Sequence, residues 1–234
     1  MGKFNVMIIS IGIISTTSMT ASAFDTTRVE RIRAQGECQK CYLKQADLKD
    51  AKLDGVDLEF STFVEADLTG SSLEKANLDE GDFEKAIIKG AKMKGAYINN
   101  ATFVDADLTD ADLRKVNSEK SSFKRANLTR TNLTGAKLRG ANFGGALLKE
   151  TNFSYADLNA ADLSNLNLEG ISFRGATLSS TNLVGAKLKG ADFTGTDFGG
   201  PALSSQNDPF SRTVYCKDLI AAGAIVDSTT NCQK

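Results

Sequence analysis

The 234-residue chain contains no histidine and no tryptophan, and it has only two prolines and four cysteines. Histidine is the commonest general base and a frequent metal ligand, so its absence removes most familiar catalytic and zinc centres. No nucleophile elbow, phosphate-binding loop or cluster of metal ligands can be recognised in the sequence either. The sequence therefore argues against an enzyme and predicts no cofactor and no bound metal.

The dominant feature is an apolar residue at nearly every fifth position from 43 to 198, with a small residue two positions earlier. Neither the helical period of 3.6 nor the strand period of two produces this spacing. In the unit 106–110, an extended segment would place Ala106 and Leu108 on one side and Asp107 on the other. The next two residues must then turn the chain, and Gly suits the second of them, as at Gly140. The sequence predicts a β-solenoid of short strands and turns.

The pattern A-(D/N)-(L/F)-x-x, as in ATFVD ADLTD ADLRK from Ala101, resembles the pentapeptide repeat family over residues 41–200. The resemblance implies an all-β fold, a right-handed quadrilateral β-helix with four units per coil. The 32 units (160/5) then give about eight coils and a rod about 38 Å long, at about 4.8 Å per strand. Phenylalanines twenty residues apart should stack as a core ladder, and this ladder consists of Phe63, Phe83, Phe103, Phe123 and Phe143. A second column should occupy the opposite wall, with Phe153, Phe173 and Phe193.

One unit departs from the pattern, because Ser118 stands where an apolar core residue belongs. We expect a tolerated core defect in which backbone or water satisfies the Ser118 hydroxyl. The alternative is a local bulge that exposes a useful group.

The N-terminus predicts a secretory signal peptide over residues 1–23. Lys3 precedes a mostly apolar stretch from Phe4 to Ile14, and Ala21-Ser22-Ala23 forms a small-x-small cleavage site. Cleavage is expected after Ala23, with no membrane span in the mature chain and a periplasmic or secreted location. Residues 24–40 are expected to form an N-terminal cap with a short helix, and residues 201–234 a C-terminal cap. A partner-binding helix at the first cap and a dimer through a terminal cap remain alternatives.

The four cysteines lie only at the two ends of the chain, at Cys38, Cys41, Cys216 and Cys232. Export would favour disulfides. In the rod that the resemblance implies, the two ends are too far apart to be bridged, so the expected pairs are Cys38–Cys41 and Cys216–Cys232. The second pair would close the C-terminal cap. A redox-active or metal-binding role for the CxxC motif is an alternative.

The charges are nearly balanced, with 28 basic and 29 acidic residues. Outward carboxylates such as Asp67 and Asp107 should be solvated and keep ordinary pKa values. Basic residues concentrate in the middle of the rod, and they form a candidate interaction belt of Arg114, Lys115, Lys120, Lys124, Arg125 and Arg130. Such a belt could attract an anionic polymer or a membrane surface, although chance clustering on a solvated surface is the simpler interpretation.

The leading hypothesis is an exported, non-catalytic scaffold or protein-interaction module with an unknown protein or envelope partner. The alternative is a secreted effector or envelope-binding factor that uses the basic belt. The best-known activity of the family is mimicry of duplex DNA by an acidic rod that binds DNA gyrase. The leader, the balanced charge and the basic belt argue against that activity here, and no nucleic-acid partner is expected.

Overall fold

The computed structural model describes residues 34–199 and 216–231, together with Glu30 and Ile32. Its sheets consist of isolated parallel bridges, one per unit, each joining a residue to the one twenty positions later, from Glu37↔Asp57 to Thr177↔Asp197. A twenty-residue offset between bridged five-residue units means four units per coil. The repeat therefore winds into a four-sided coil, with one bridge position on each side.

We name the four sides by the core residues of the first coil. Faces 1, 2, 3 and 4 carry Leu43, Leu48, Leu53 and Leu58, and each continues every twenty residues toward the C-terminus, which we call upward. These core positions and the small residues two before them are almost all buried, and the intervening residue points outward.

Each five-residue unit satisfies its own backbone amides. In the unit 106–110, the first amide closes a turn onto the preceding core carbonyl and the second reaches the coil below. The third and fifth amides donate to the coil above. The fourth, of Thr109, donates to Oδ1 of Asp107 at 3.1 Å. Asp or Asn before the core residue is thus a backbone cap, which accounts for its recurrence without any catalytic role.

The last residue of every unit from Gln45 to Gly195 adopts positive φ, whether or not it is glycine. Asp110 (φ 61°) and Lys115 (φ 58°) take the same conformation as Gly140 (φ 67°). Left-handed backbone costs a residue with a Cβ about 1–2 kcal/mol. The two ladder hydrogen bonds on either side of each corner hold it there, so glycine is favoured at the corners but not required.

The phenylalanines fill the interior in two columns. Rings of the first column stack nearly parallel, with centroids 4.5 Å apart at Phe63–Phe83 and 5.1 Å apart at Phe123–Phe143. The second column is stacked too, at 5.4 Å for Phe153–Phe173. Phe143 and Phe153 lie in one coil on opposite faces and meet edge-on at 5.6 Å and 90°. The core is therefore closed by side chains along the repeat.

Ser118 lies in the core without a bulge. Its side chain is fully buried, and its amide donates to Lys137 O at 2.8 Å, so the ladder passes through without a bulge. No protein group in the described part of the chain bonds its hydroxyl, so the expected satisfaction by the backbone is not found. By contrast, the Ser121 hydroxyl donates to the Ile98 carbonyl at 2.6 Å.

The solenoid ladder extends past both expected ends. At the N-terminal end it includes Glu37, and the residues just before Gly36 are helical. At the C-terminal end, helix α1 (Cys216–Ala221) is followed by Ile225 and Asn231, which bridge to residues of the last full coil on faces 3 and 4. The tail thus adds a partial coil. The predicted leader, residues 1–23, lies outside the described residues.

Candidate interaction surface

Four of the six residues of the predicted basic belt lie at the corners of a single coil. Lys115, Lys120, Arg125 and Arg130 are the last residues of four consecutive units, so each occupies one corner. The residues twenty positions earlier lie one coil below at the same corners. They are Gly95, Asn100, Asp105 and Asp110. The four corner cations therefore have different neighbours on opposite sides of the rod.

Two of these corners are neutralised. Arg125 binds Asp105 through two hydrogen bonds of 2.7 Å, and Arg130 binds Asp110 through two of 2.6 Å. These bidentate hydrogen bonds hold the pKa values of both aspartates below their usual values. The structure thus places Arg125 and Arg130 in ion pairs, which reduces their availability to an anionic partner.

Two further members of the predicted belt behave differently from each other. Arg114 forms a bidentate pair with Asp112 of its own unit, at 2.8 Å and 2.6 Å. Lys124 is exposed and forms no ion pair within the described residues. Three of the six predicted belt residues are therefore paired, and the continuous belt expected from the sequence does not exist as such.

The other two corners flank face 4 and stay unpaired. Lys115 and Lys120 are exposed and have no carboxylate within 4.0 Å in the described part of the chain. Each side-chain stem leans over a glycine of the next coil. A Cβ on Gly135 would lie 3.5 Å from Lys115 Cγ, and one on Gly140 would lie 3.6 Å from Lys120 Cγ. Both ammonium groups are thus presented at the edges of face 4.

The outward side of face 4 between these corners carries an aromatic ring. Tyr97 is 47% exposed, and Asn117 lies directly above it in the same ladder. A shallow depression here is lined by Tyr97, Asn99, Asn100, Asn117, Glu119 and Lys120. In the next coil, Lys137 and Arg139 are exposed on the same face. We call Tyr97, Asn100, Asn117, Lys115, Lys120, Lys137 and Arg139 the Tyr97 surface.

Asn99 takes over the capping role that Asn117 would otherwise fill. Asn99 is used by the fold, because its Oδ1 accepts from the Glu119 amide at 3.0 Å and its Nδ2 donates to Asp79. Asn117 occupies the position that normally caps this amide. Since Asn99 already caps it, the Asn117 side chain forms no hydrogen bond within the described residues. The sequence pattern alone did not single out Tyr97 or Asn117, although both lie on one twenty-residue column.

Outward carboxylates are more perturbed than the sequence suggests. Partial burial alone would raise the pKa of Asp107, but hydrogen bonds from Thr109 and Lys89 hold it below its usual value. For Asp67 too, partial burial alone would raise the pKa, but hydrogen bonds from Thr69 and Lys49 hold it below its usual value. The expectation of ordinary pKa values is therefore wrong for Asp67 and Asp107. The shifts come from backbone capping and surface pairs, both of which have structural explanations.

Cys38 and Cys41 lie together at the first turn. Their Cα atoms are 5.6 Å apart and their sulfur atoms are in contact. This separation suits a disulfide. The predicted Cys216–Cys232 pair falls outside the residues whose side chains are described. Among the described residues, no group of His, Cys, Asp and Glu could hold a metal ion, and no helix is long and apolar enough to cross a membrane.

Two family models match the repeat region. The model described as pentapeptide repeats matches residues 41–79, 126–165 and 156–195, and the pentapeptide repeat region model matches residues 66–143. Together they span 41–195, more than half of the chain. The chain belongs to the pentapeptide repeat family. Its fold is accordingly the right-handed quadrilateral β-helix of that family, as the resemblance implied.

Solved structures similar to this pentapeptide repeat protein include HetL, involved in heterocyst differentiation regulation in the cyanobacterium Nostoc sp. strain PCC 7120. It is 26% identical, with a TM-score of 0.34, and the match covers 74% of this chain and 97% of HetL. Trypsin-treated QnrB1, a plasmid-mediated fluoroquinolone resistance protein, is 17% identical with a TM-score of 0.44, covering 66% and 81%.

The pentapeptide repeat protein alr5209 from Nostoc PCC 7120 is 31% identical with a TM-score of 0.27, covering 54% of this chain and 84% of alr5209. No curated protein matches the sequence significantly.

Proposed function

We propose that this pentapeptide repeat protein is an exported, non-catalytic interaction module that acts in the periplasm or outside the cell. The observation that carries the proposal is the closed interior. Phe103 is fully buried and stacks between Phe83 at 4.7 Å and Phe123 at 5.0 Å, and the other coils are filled in the same way. Any chemistry must therefore take place on the outer surface, where the chain offers flat faces of capped, solvated side chains.

Export rests on the leader pattern of residues 1–23 and on the cysteine positions. A staple between Cys38 and Cys41 would hold the turn at which the first coil begins, where their sulfur atoms already meet. A disulfide between Cys216 and Cys232 would do the same for the tail. Cysteines confined to the two ends fit an oxidising compartment better than a redox mechanism, which would require an accessible reactive thiol.

Envelope binding through a basic surface is the second candidate, and the unpaired cations on face 4 favour it. DNA mimicry receives less support, because such a mimic needs carboxylates along the rod. Here Asp105 and Asp110 are neutralised by arginines, and Lys115 and Lys120 add positive charge to the same coil.

The test is to express the full chain with its own leader in a bacterium, fractionate the cells and measure the intact mass after thiol alkylation. We expect a periplasmic or secreted chain that begins at Phe24 and has no alkylated thiols. An Ala21→Arg/Ala23→Arg variant is the matched control and should keep its leader. A wild-type chain that stays in the cytoplasm with its leader and four reactive thiols would refute the proposal.

A further inference from the structure

We infer that the Tyr97 surface binds an acidic glycan, a saccharide chain bearing carboxylate or phosphate groups. This inference rests on the proposed function, because it names the class of ligand that the interaction module takes. It follows from three features that meet on face 4 of the middle coils: unpaired cations, an exposed aromatic ring, and amides that the fold leaves free.

The first feature is the asymmetry of the corner cations. On the side of Arg125 and Arg130, the coil below supplies two aspartates that neutralise the charge. On the side of Lys115 and Lys120, it supplies Gly95 and Asn100, which cannot. Lys137 and Arg139 add two exposed cations one coil higher. In these two coils, face 4 and its flanking corners carry the four cations and one carboxylate, Glu119, while Asp157 above and Asp79 and Glu80 below border the surface and reduce its charge.

The second feature is Tyr97 at the lower edge of the surface. Tyr97 is 47% exposed on one side of the rod, with Lys115 and Lys120 at the flanking corners of the coil above. Its ladder neighbours, Asn77 below and Asn117 above, are small and polar. A flat aromatic face with hydrogen-bonding groups beside it suits the apolar C–H face of a sugar ring and its hydroxyl groups.

The third feature is the set of available amides. Most outward Asn and Asp residues of the repeat cap a backbone amide of their own unit, as Asn127 caps Thr129 at 3.1 Å. Asn117 is released from this role by Asn99, and Asn100 also makes no side-chain hydrogen bond within the described residues. A carboxamide offers both donors and acceptors, as sugar hydroxyl and acetamido groups require.

These features favour a glycan over a nucleic acid or an acidic protein. A protein that makes about 6–10 phosphate contacts binds DNA with a steep salt dependence, and the four cations here can make fewer contacts than that. Tyr97 is the one aromatic ring of the Tyr97 surface, and the next exposed ring above it on this side of the rod, Tyr155, lies nearly three coils higher, so successive bases would find no row of stacking platforms. An acidic peptide would use the cations but would leave the ring and the free amides without a specific role.

The experiment is calorimetric titration of the full chain with hexagalacturonate and with phosphorylated maltohexaose, at low and at high salt. Maltohexaose is the neutral comparison, and oligothymidylate and polyglutamate of similar charge represent the other polymer classes. We expect one of the two acidic saccharides to bind more tightly than all three comparison polymers, and its affinity to fall as salt rises. The carboxylated and phosphorylated probes distinguish the two sources of negative charge.

Two double variants with the same charge change locate the site. Lys115→Ala/Lys120→Ala should weaken saccharide binding at least tenfold, whereas Arg125→Ala/Arg130→Ala should weaken it less than twofold. Tyr97→Ala should weaken it at least fivefold with an unchanged circular dichroism spectrum. The inference is overturned if neither acidic saccharide binds, if both double variants lose affinity equally, or if oligothymidylate or polyglutamate binds more tightly. Cell fractionation tests export separately, so either proposal can fail alone.

Discussion

Arg125 lies over Asp105 of the coil below, and its Nε and Nη2 atoms donate to the two carboxylate oxygens at 2.7 Å each. The two residues are twenty positions apart, one full coil. The same offset joins Arg130 to Asp110, but at the other two corners it brings Lys115 over Gly95 and Lys120 over Asn100. One coil therefore has a neutral side and a positive side, although each of its corners carries a basic residue.

Releasing the paired arginines should make the rod more basic at those corners. We expect the Asp105→Asn/Asp110→Asn variant to elute later from a cation-exchange column than wild type, by more than a variant of equal net charge. Glu59→Gln/Glu80→Gln is that control, because neither glutamate forms an ion pair within the described residues. Equal retention of the two variants would mean that Arg125 and Arg130 are not held by their aspartates in solution.

The phenylalanine ladder predicts a large loss of stability from a single truncation. Phe103 has no exposed surface and is stacked on both sides, so Phe103→Ala should lower the free energy of unfolding by about 3–5 kcal/mol. Phe60, which is 42% exposed at a corner, serves as the control. Phe60→Ala should cost about 0.5 kcal/mol or less. Urea denaturation measures both, and a Phe103→Ala loss below about 1 kcal/mol would contradict the stacked core.

Replacement of two neighbouring serines by alanine should change the stability of the protein in opposite directions. Ser118 buries a hydroxyl that has no protein partner among the described residues, so Ser118→Ala should stabilise the protein by about 1 kcal/mol or more. The Ser121 hydroxyl bonds the Ile98 carbonyl, so Ser121→Ala should destabilise it by about 1 kcal/mol. Thermal and urea unfolding of both variants test this. Destabilisation by Ser118→Ala would show that its hydroxyl has a partner in solution.

The capping aspartates predict an acid-sensitive fold. The pKa values of Asp67 and Asp107 are lower in the folded chain than their usual value, so the unfolded chain binds protons more readily. Their contribution to stability is therefore complete above the unfolded pKa of about 3.9, and it is lost as pH falls through the folded pKa. We expect urea midpoints to drop steeply below about pH 4.

Asparagine substitution separates the charge from the cap. In Asp67→Asn/Asp107→Asn, the amide oxygen can still accept from the backbone, as Asn127 does one coil above Asp107. The variant should keep most of its stability at pH 7 and lose less than wild type between pH 4 and pH 2. A wild-type and variant pair with identical pH profiles would show that these carboxylates do not link folding to protonation.

The sequence by itself determined the solenoid, because small and large apolar residues recur every five positions. Its resemblance to the pentapeptide repeat family implied the four-unit coil, which the twenty-residue spacing from Phe63 to Phe143 matches. Few other folds can bury all the small and large apolar residues that lie two apart in every five-residue unit. The reason for Asp107 before Leu108 was also accessible, since its hydrogen bond to Thr109 is local.

Only the tertiary structure decided how the charges and amides are used. The pairing of Arg125 with Asp105 requires the positive-φ corners, which stack one side chain on the next. A count of basic residues along the sequence does not reveal this pairing. The release of Asn117 depends on a cap supplied by Asn99 from the coil below. Surface chemistry in a solenoid is set between coils, over distances of a few ångströms, between residues twenty positions apart.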